Sequence, residues 1–203
     1  MSSSFNFKPI IKFIHKKNQL SKIEGIALLT SRFMQNPNHR WAAQNPRLCK
    51  VFELFFNCFP EKAVSHFLQK EELIFINHSG THGLTYFSHP EKHLVLIFPD
   101  VIQYFHSPLP TLGLAVVAHE VGHIYFEHYR KKMDPLEAQI EADYFAYMLG
   151  LGGDLYSVLE EEQEVNPSSS EIEIRLENIA HWMDSQNTSH VSMPHVILKN
   201  KNL

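Results

Sequence analysis

Two histidines four residues apart, with a glutamate directly after the first, stand in the segment His119-Glu120-Val121-Gly122-His123. Four residues of α-helix rotate by about 400°, so the two imidazoles leave one face a single turn apart. Two nitrogens placed this way suit one Zn²⁺ held at roughly 2.0–2.1 Å from each. Glu120 is offset by about 100° from His119, so it flanks the metal position, where a carboxylate holds a water and takes its proton. The chain contains 14 His, so the pattern carries weight only through its context. The stretch from Thr111 to Arg130 is apolar on nearly every side, through Leu112, Leu114, Val116, Val117, Val121, Ile124 and Phe126. A helix of that kind belongs in the middle of a domain, where a His-Glu-His cluster is unfavourable unless each group is paired or ligates a metal.

Catalytic zinc generally takes three protein ligands and a water. The next helix offers Glu137, Glu141 and Asp143. Ala138, Tyr144 and Phe145 lie three or four positions from Glu141, so that carboxylate falls in an apolar stripe and needs a partner. Asp143 is suited to accept the outer N–H of a ligating histidine, which fixes its tautomer and orientation. Glu137 lies near the helix N-terminus, where a solvated carboxylate is favourable in any case.

Other groups carry blander readings. On one continuous helix, His128 is nine residues from His119 and about 180° round the axis, so it reads as a structural or surface histidine that cannot share the metal. His78 and His82 are four apart, but Gly80 between them makes a helix, and hence a second metal site, unfavoured. Glu160-Glu161-Glu162 reads as a solvated face, and Phe52, Phe55, Phe56 and Phe59 as core. The segment His190 to Leu198 is β-prone and holds two imidazoles; it reads as part of a mobile tail, with an inhibitory fold-back into the cleft as the alternative.

The elements that must position these groups follow from periodicity and punctuation. Apolar residues fall at helical spacing from Leu20 to Gln35, and Asn36-Pro37 ends the pattern. A second helix starts at Pro46, capped by Asn45, and Pro60 breaks it before a short helix through Val64, Phe67 and Leu68. Leu73–Asn77, Leu84–Phe87 and Leu94–Phe98 are β-type runs, the last two joined by a hairpin turn at Ser88-His89-Pro90-Glu91. They predict a small antiparallel sheet between helical halves. Asp134-Pro135 opens a helix to Leu149, closed by Gly150, Gly152 and Gly153. Helices over Asp154–Val165 and Ser170–Asp184 follow, then a polar tail.

The totals agree with one modest domain. The chain has 203 residues, 44% of them hydrophobic, with 15 Phe, enough for a core without staples. A net charge of −4 argues against a nucleic-acid or anionic-membrane binder. Cys49 and Cys58, nine residues apart on one expected helix, are separated by a rise of about 13.5 Å and cannot pair; reduced cysteines point to the cytoplasm. The start, Met1-Ser2-Ser3-Ser4-Phe5, lacks a signal-peptide pattern, and no apolar run approaches the roughly 18 residues of a membrane span.

The motif at 119–123, the further His128 and the triplet Glu141-Ala142-Asp143 together resemble the gluzincin metallopeptidases, and among them the CAAX-prenyl endopeptidase and HtpX-like family with its soluble minimal relatives. The resemblance covers Leu112 to Trp182. It implies zinc on His119, His123 and Glu141, Glu120 as catalytic base and Asp143 in support. Asn166-Pro167 with Arg175 is similar to that family's His-Pro followed by an Arg-bearing helix, with Asn in place of His. A donor to the oxyanion is also needed; Arg175 is the first candidate, then Tyr144 or a sheet-loop His. The implied fold is α+β and zincin-like, mostly helical, with a small antiparallel sheet beside the active-site helix. An N-terminal helical portion spans residues 1–70, a metallopeptidase core 71–184 and a tail 185–203. The expectation is a zinc metalloendopeptidase acting on a peptide or protein, whose extended chain lies along Leu84–Phe87 or Leu94–Phe98. The alternatives are a regulatory protease resembling the ImmA/IrrE-like proteins, or a zincin-fold binding protein without turnover.

Overall fold

A computed structural model describes residues 20–70, 72–78, 86–89 and 92–185. The expected tail, His82 and the centre of the hairpin turn lie outside those residues. Among the described residues no helix is long and apolar enough to cross a membrane.

The fold is mostly helical. Helix α1, Lys22–Gln35, begins in a capping box in which the Ser21 hydroxyl accepts from Glu24 N–H and the Glu24 carboxylate accepts from Ser21 N–H. A 3₁₀ turn at Pro37–His39 and a short helix α2, Arg40–Ala43, lead to α3, Pro46–Asn57, whose N-cap Asn45 accepts from the N–H groups of Arg47 and Leu48. Helix α4, Glu61–Gln69, completes the first half. Phe52, Phe55, Phe56 and Phe59 are all buried: Phe52 and Phe55 pack tilted or edge-on to Phe75, Phe56 edge-on to Phe33, and Phe59 edge-on to Phe55. Cys49 and Cys58 are both free.

Strands β1, Glu72–Asn77, β2, Tyr86–His89, and β3, Lys92–Ile97, form one sheet in the order β1-β3-β2. The antiparallel sheet read from sequence is corrected to a mixed one: β2 and β3 pair antiparallel, but β1 and β3 pair parallel. Successive strands do reverse direction, as short connections require. Strand β3 then inserts between the other two, because its Val95 and Ile97 fill the centre with no exposure, and that placement makes its pairing with β1 parallel. The outer edge of β1 is closed by side chains: Phe75 N–H donates to His39 Nε2 at 2.9 Å and Trp41 Nε1–H donates to Phe75 C=O at 3.2 Å. Ser88 and His89, expected in the turn, belong to β2. Leu94–Phe98, one of the two segments expected to offer a sheet edge, is mostly the central strand β3 and offers none; β2 is the outer strand on the side away from β1.

Helix α5, Pro99–His106, was not expected; its turn of apolar residues continues the β3 run past Pro99, which is tolerated at the first helical position. Helix α6, Pro110–Tyr125, is followed by a 3₁₀ turn at His128–Arg130. Helix α7, Pro135–Met148, is capped by Asp134, and α8, Gly152–Val165, and α9, Ser170–Ser185, close the fold. Gly152 and Gly153 open α8 instead of closing α7; the break is made by Gly150 at φ 79°. One buried cluster joins Leu29 of α1 to Trp182 of α9.

Candidate metal centre

Helix α6 runs through the interior, with Leu114, Ala115, Val117, Ala118, Val121 and Ile124 at no exposure. Its most extensive helix contact is with α7. The two backbones meet at Gly122, where an added Cβ would lie 2.8 Å from Phe145 Cβ and 2.9 Å from the Ala142 carbonyl. Absence of a side chain at 122 therefore sets the separation of α6 from α7 at the level of Glu141 and Asp143.

His119 and His123, both buried, turn their Nε2 atoms toward one another at 3.3 Å. Two ligands at about 2.05 Å from a tetrahedral ion are separated by about 3.3 Å, a separation that the two Nε2 atoms match. The outer nitrogen of His119, Nδ1, lies 2.7 Å from Asp143 Oδ1. Asp143 has no exposure and accepts from Arg175 Nε and Nη2, both at 2.8 Å. Burial alone would push the Asp143 pKa up; the Arg175 guanidinium and His119 outweigh it and hold the carboxyl below the usual range. A carboxylate there fixes His119 as the Nδ1–H tautomer and leaves its Nε2 lone pair facing His123.

His123 is kept neutral. Burial first, then the neighbouring His119 and His128, depress its pKa to about 3. Its outer Nδ1 lies 2.8 Å from Nδ1 of His128, whose Nε2 lies 2.9 Å from Glu141 Oε2.

The structure thus overturns the placement of His128 on the far side of the helix. The regular turn ends at Tyr125 instead of Arg130; Glu127 adopts a left-handed conformation at φ 56°, and the 3₁₀ turn returns His128 to the cluster. Rotation by 100° per residue holds only while the helix lasts. Neither Gly nor Asn marks the reversal, so the one available signal was a third histidine within five residues of a candidate ligand.

Glu120 keeps part of its surface open, yet the surrounding protein pushes its pKa up to about 7, against the pull of His119 and Arg175. Glu141 is half-buried, on His128 and 3.8 Å from Lys131 Nζ. Arg175, considered for oxyanion stabilisation, is buried with its Nε and Nη2 on Asp143. Tyr144 packs against Trp182 and Tyr147. His78 is exposed at the end of β1. Among the described residues no three His, Cys, Asp or Glu side chains are arranged about a single metal position: His119 and His123 form a pair, and Glu141 is turned toward His128.

Comparison of the chain with protein-family models, with curated proteins and with solved structures found no match.

Proposed function

We propose that the chain is a zinc-dependent metallopeptidase of the gluzincin type, with a zincin-like arrangement of α6, α7 and the sheet. The observation that carries this reading is the 3.3 Å approach of the Nε2 atoms of two buried histidines, each on a ring whose outer nitrogen is held by a second side chain. Core histidines satisfy both nitrogens with protein partners. With both rings as Nδ1–H tautomers the two Nε2 lone pairs converge on one point, a donor set that fits a divalent cation.

His119 and His123 would supply two donors, and Glu141, whose Oε2 lies on His128, would supply the third through its other oxygen on turning toward them. When bound, zinc lends Lewis acidity to a water and to the scissile carbonyl. Glu120, one residue along α6 from the first donor, accepts the proton of the attacking water and returns it to the leaving amine. Asp143 and Arg175 do no chemistry in this scheme. They hold the His119 ring, which is why the guanidinium is assigned to orientation and not to the oxyanion. An extended peptide adds to β2, since the outer edge of β1 is closed by His39 and Trp41.

The test compares zinc content and cleavage of a casein-like substrate between the wild type and Glu120→Gln. Retained zinc with at least about a hundredfold loss of cleavage supports catalysis. Zinc in both and cleavage by neither supports a binding protein on the same fold, and absence of zinc from the wild type removes the reading.

A further inference from the structure

Resting on that reading, we propose that His128 is a positioning residue that holds two of the three zinc ligands at once, accepting the Nδ1–H of His123 and donating its own Nε2–H to Glu141. The protonation pattern follows from the ends of the chain of contacts. To ligate a metal beside His119 Nε2, 3.3 Å away, His123 must keep Nε2 unprotonated, so in the metal-binding form its proton resides on Nδ1. The atom 2.8 Å from that Nδ1 is Nδ1 of His128, which must therefore accept. A neutral imidazole that accepts at Nδ1 carries its proton on Nε2, and that nitrogen faces the Glu141 carboxylate at 2.9 Å. A carboxylate, which only accepts, closes the series without conflict.

The backbone is built for this. Glu127 takes a left-handed conformation that a residue with a side chain adopts at some strain, and what it achieves is the return of His128 against both α6 and α7. The ring is buried and lies parallel to Phe126, with centroids 5.9 Å apart, so it is held in plane. The two ligand histidines are thus supported differently. His119 leans on a carboxylate clamped by Arg175, whereas His123 leans on a neutral imidazole that also reaches the third ligand. An ordinary buried histidine would contribute to stability alone; a positioning residue also sets metal affinity and coordination geometry.

Zinc affinity is measured by chelator competition for the wild type, His119→Ala, His128→Phe and His128→Gln, with thermal unfolding of each zinc-free protein and visible spectra of each Co²⁺-loaded protein. Removal of an outer partner of a ligating histidine weakens metal binding by about 10–100-fold. That loss is expected for His128→Phe, with shifted Co²⁺ bands. Gln offers one acceptor and one donor, and His128→Gln is expected to recover affinity to within about 3-fold of wild type. Nitrogen-15 NMR of the wild type is expected to place the proton of His128 on Nε2 and that of His123 on Nδ1. Should His128→Phe match the wild type in affinity and spectrum while His119→Ala loses zinc, the metal centre stands and the role of His128 is overturned. If His119→Ala binds zinc as the wild type does, the metal centre itself fails, and this role with it. If His128→Phe does not fold, a proton on Nδ1 of His128 in the wild type, or unrecovered affinity in His128→Gln, overturns the proposal.

Discussion

Arg175 donates two hydrogen bonds of 2.8 Å to Asp143, and the pair is buried between α7 and α9 although 32 residues separate the two in sequence. A carboxylate at no exposure is tolerable only with such a partner. Removing the guanidinium leaves an uncompensated buried charge beside the ring of His119.

Arg175→Met is therefore expected to lower folding stability by about 3–5 kcal/mol, read from urea unfolding of the zinc-free protein. Zinc affinity should fall as well, by about 10–100-fold, because His119 loses the anchored acceptor that fixes its tautomer. A fully stable variant would mean that water or another donor replaces the guanidinium.

Glu120 links the site to pH. Its carboxyl pKa is raised from the ordinary range to about 7, so the fold favours the protonated form. The stability contributed by that form is fully present below the unfolded pKa of about 4.3 and is lost as pH rises through 7. In the zinc-free protein, Glu120→Gln should be more stable than wild type by about 3–4 kcal/mol at pH 8, against about 1 kcal/mol at pH 5. Urea unfolding at the two pH values measures this, and a gap that does not change with pH would contradict it.

His39 has the opposite sign. Its pKa is lowered, chiefly by burial, against the pull of the Phe33 carbonyl and Glu72. Its Nδ1 lies 2.8 Å from the Phe33 carbonyl while Nε2 accepts from Phe75 N–H, an arrangement possible only for the neutral ring. Its contribution is present above an unfolded pKa of about 6.5 and disappears as pH falls through the lower folded value. His39→Gln should cost about 1–3 kcal/mol at pH 7.5 and flatten the loss of stability on acidification, as followed by thermal unfolding between pH 7.5 and 5.

Gly122 controls the spacing of α6 and α7. A Cβ at that position meets Phe145 Cβ at 2.8 Å and backbone atoms of Ala142 at 2.9 and 3.0 Å, none of which is the end of a flexible side chain. Gly122→Ala should be destabilising by about 1–3 kcal/mol, in spite of the better helix propensity of Ala. It should also weaken zinc binding, since Ala142 lies between Glu141 and Asp143. An unchanged Tm would show that the helices slide apart at no cost.

Much of this protein was determined by its sequence alone, because the relevant physics is local. Helix starts at Asn45-Pro46 and Asp134-Pro135 follow from one side chain capping the next turn. The shared face of His119 and His123 follows from 3.6 residues per turn and nothing further. Asp143 was legible as a candidate partner for His119 because a carboxylate commonly accepts the outer N–H of such a ring.

What only the tertiary structure decided depends on contacts between distant segments. Directions of β1, β2 and β3 alternate as the loops demand, but the order β1-β3-β2 depends on long-range packing that makes β3 central, with Val95 and Ile97 at no exposure. The place of Arg175 required knowing that α9 packs on α7. His128 lay beyond reach because its position depends on one backbone reversal at Glu127, a residue with no local preference for the left-handed region. Periodicity describes a helix only while it continues; where it stops, packing determines where the next side chain goes.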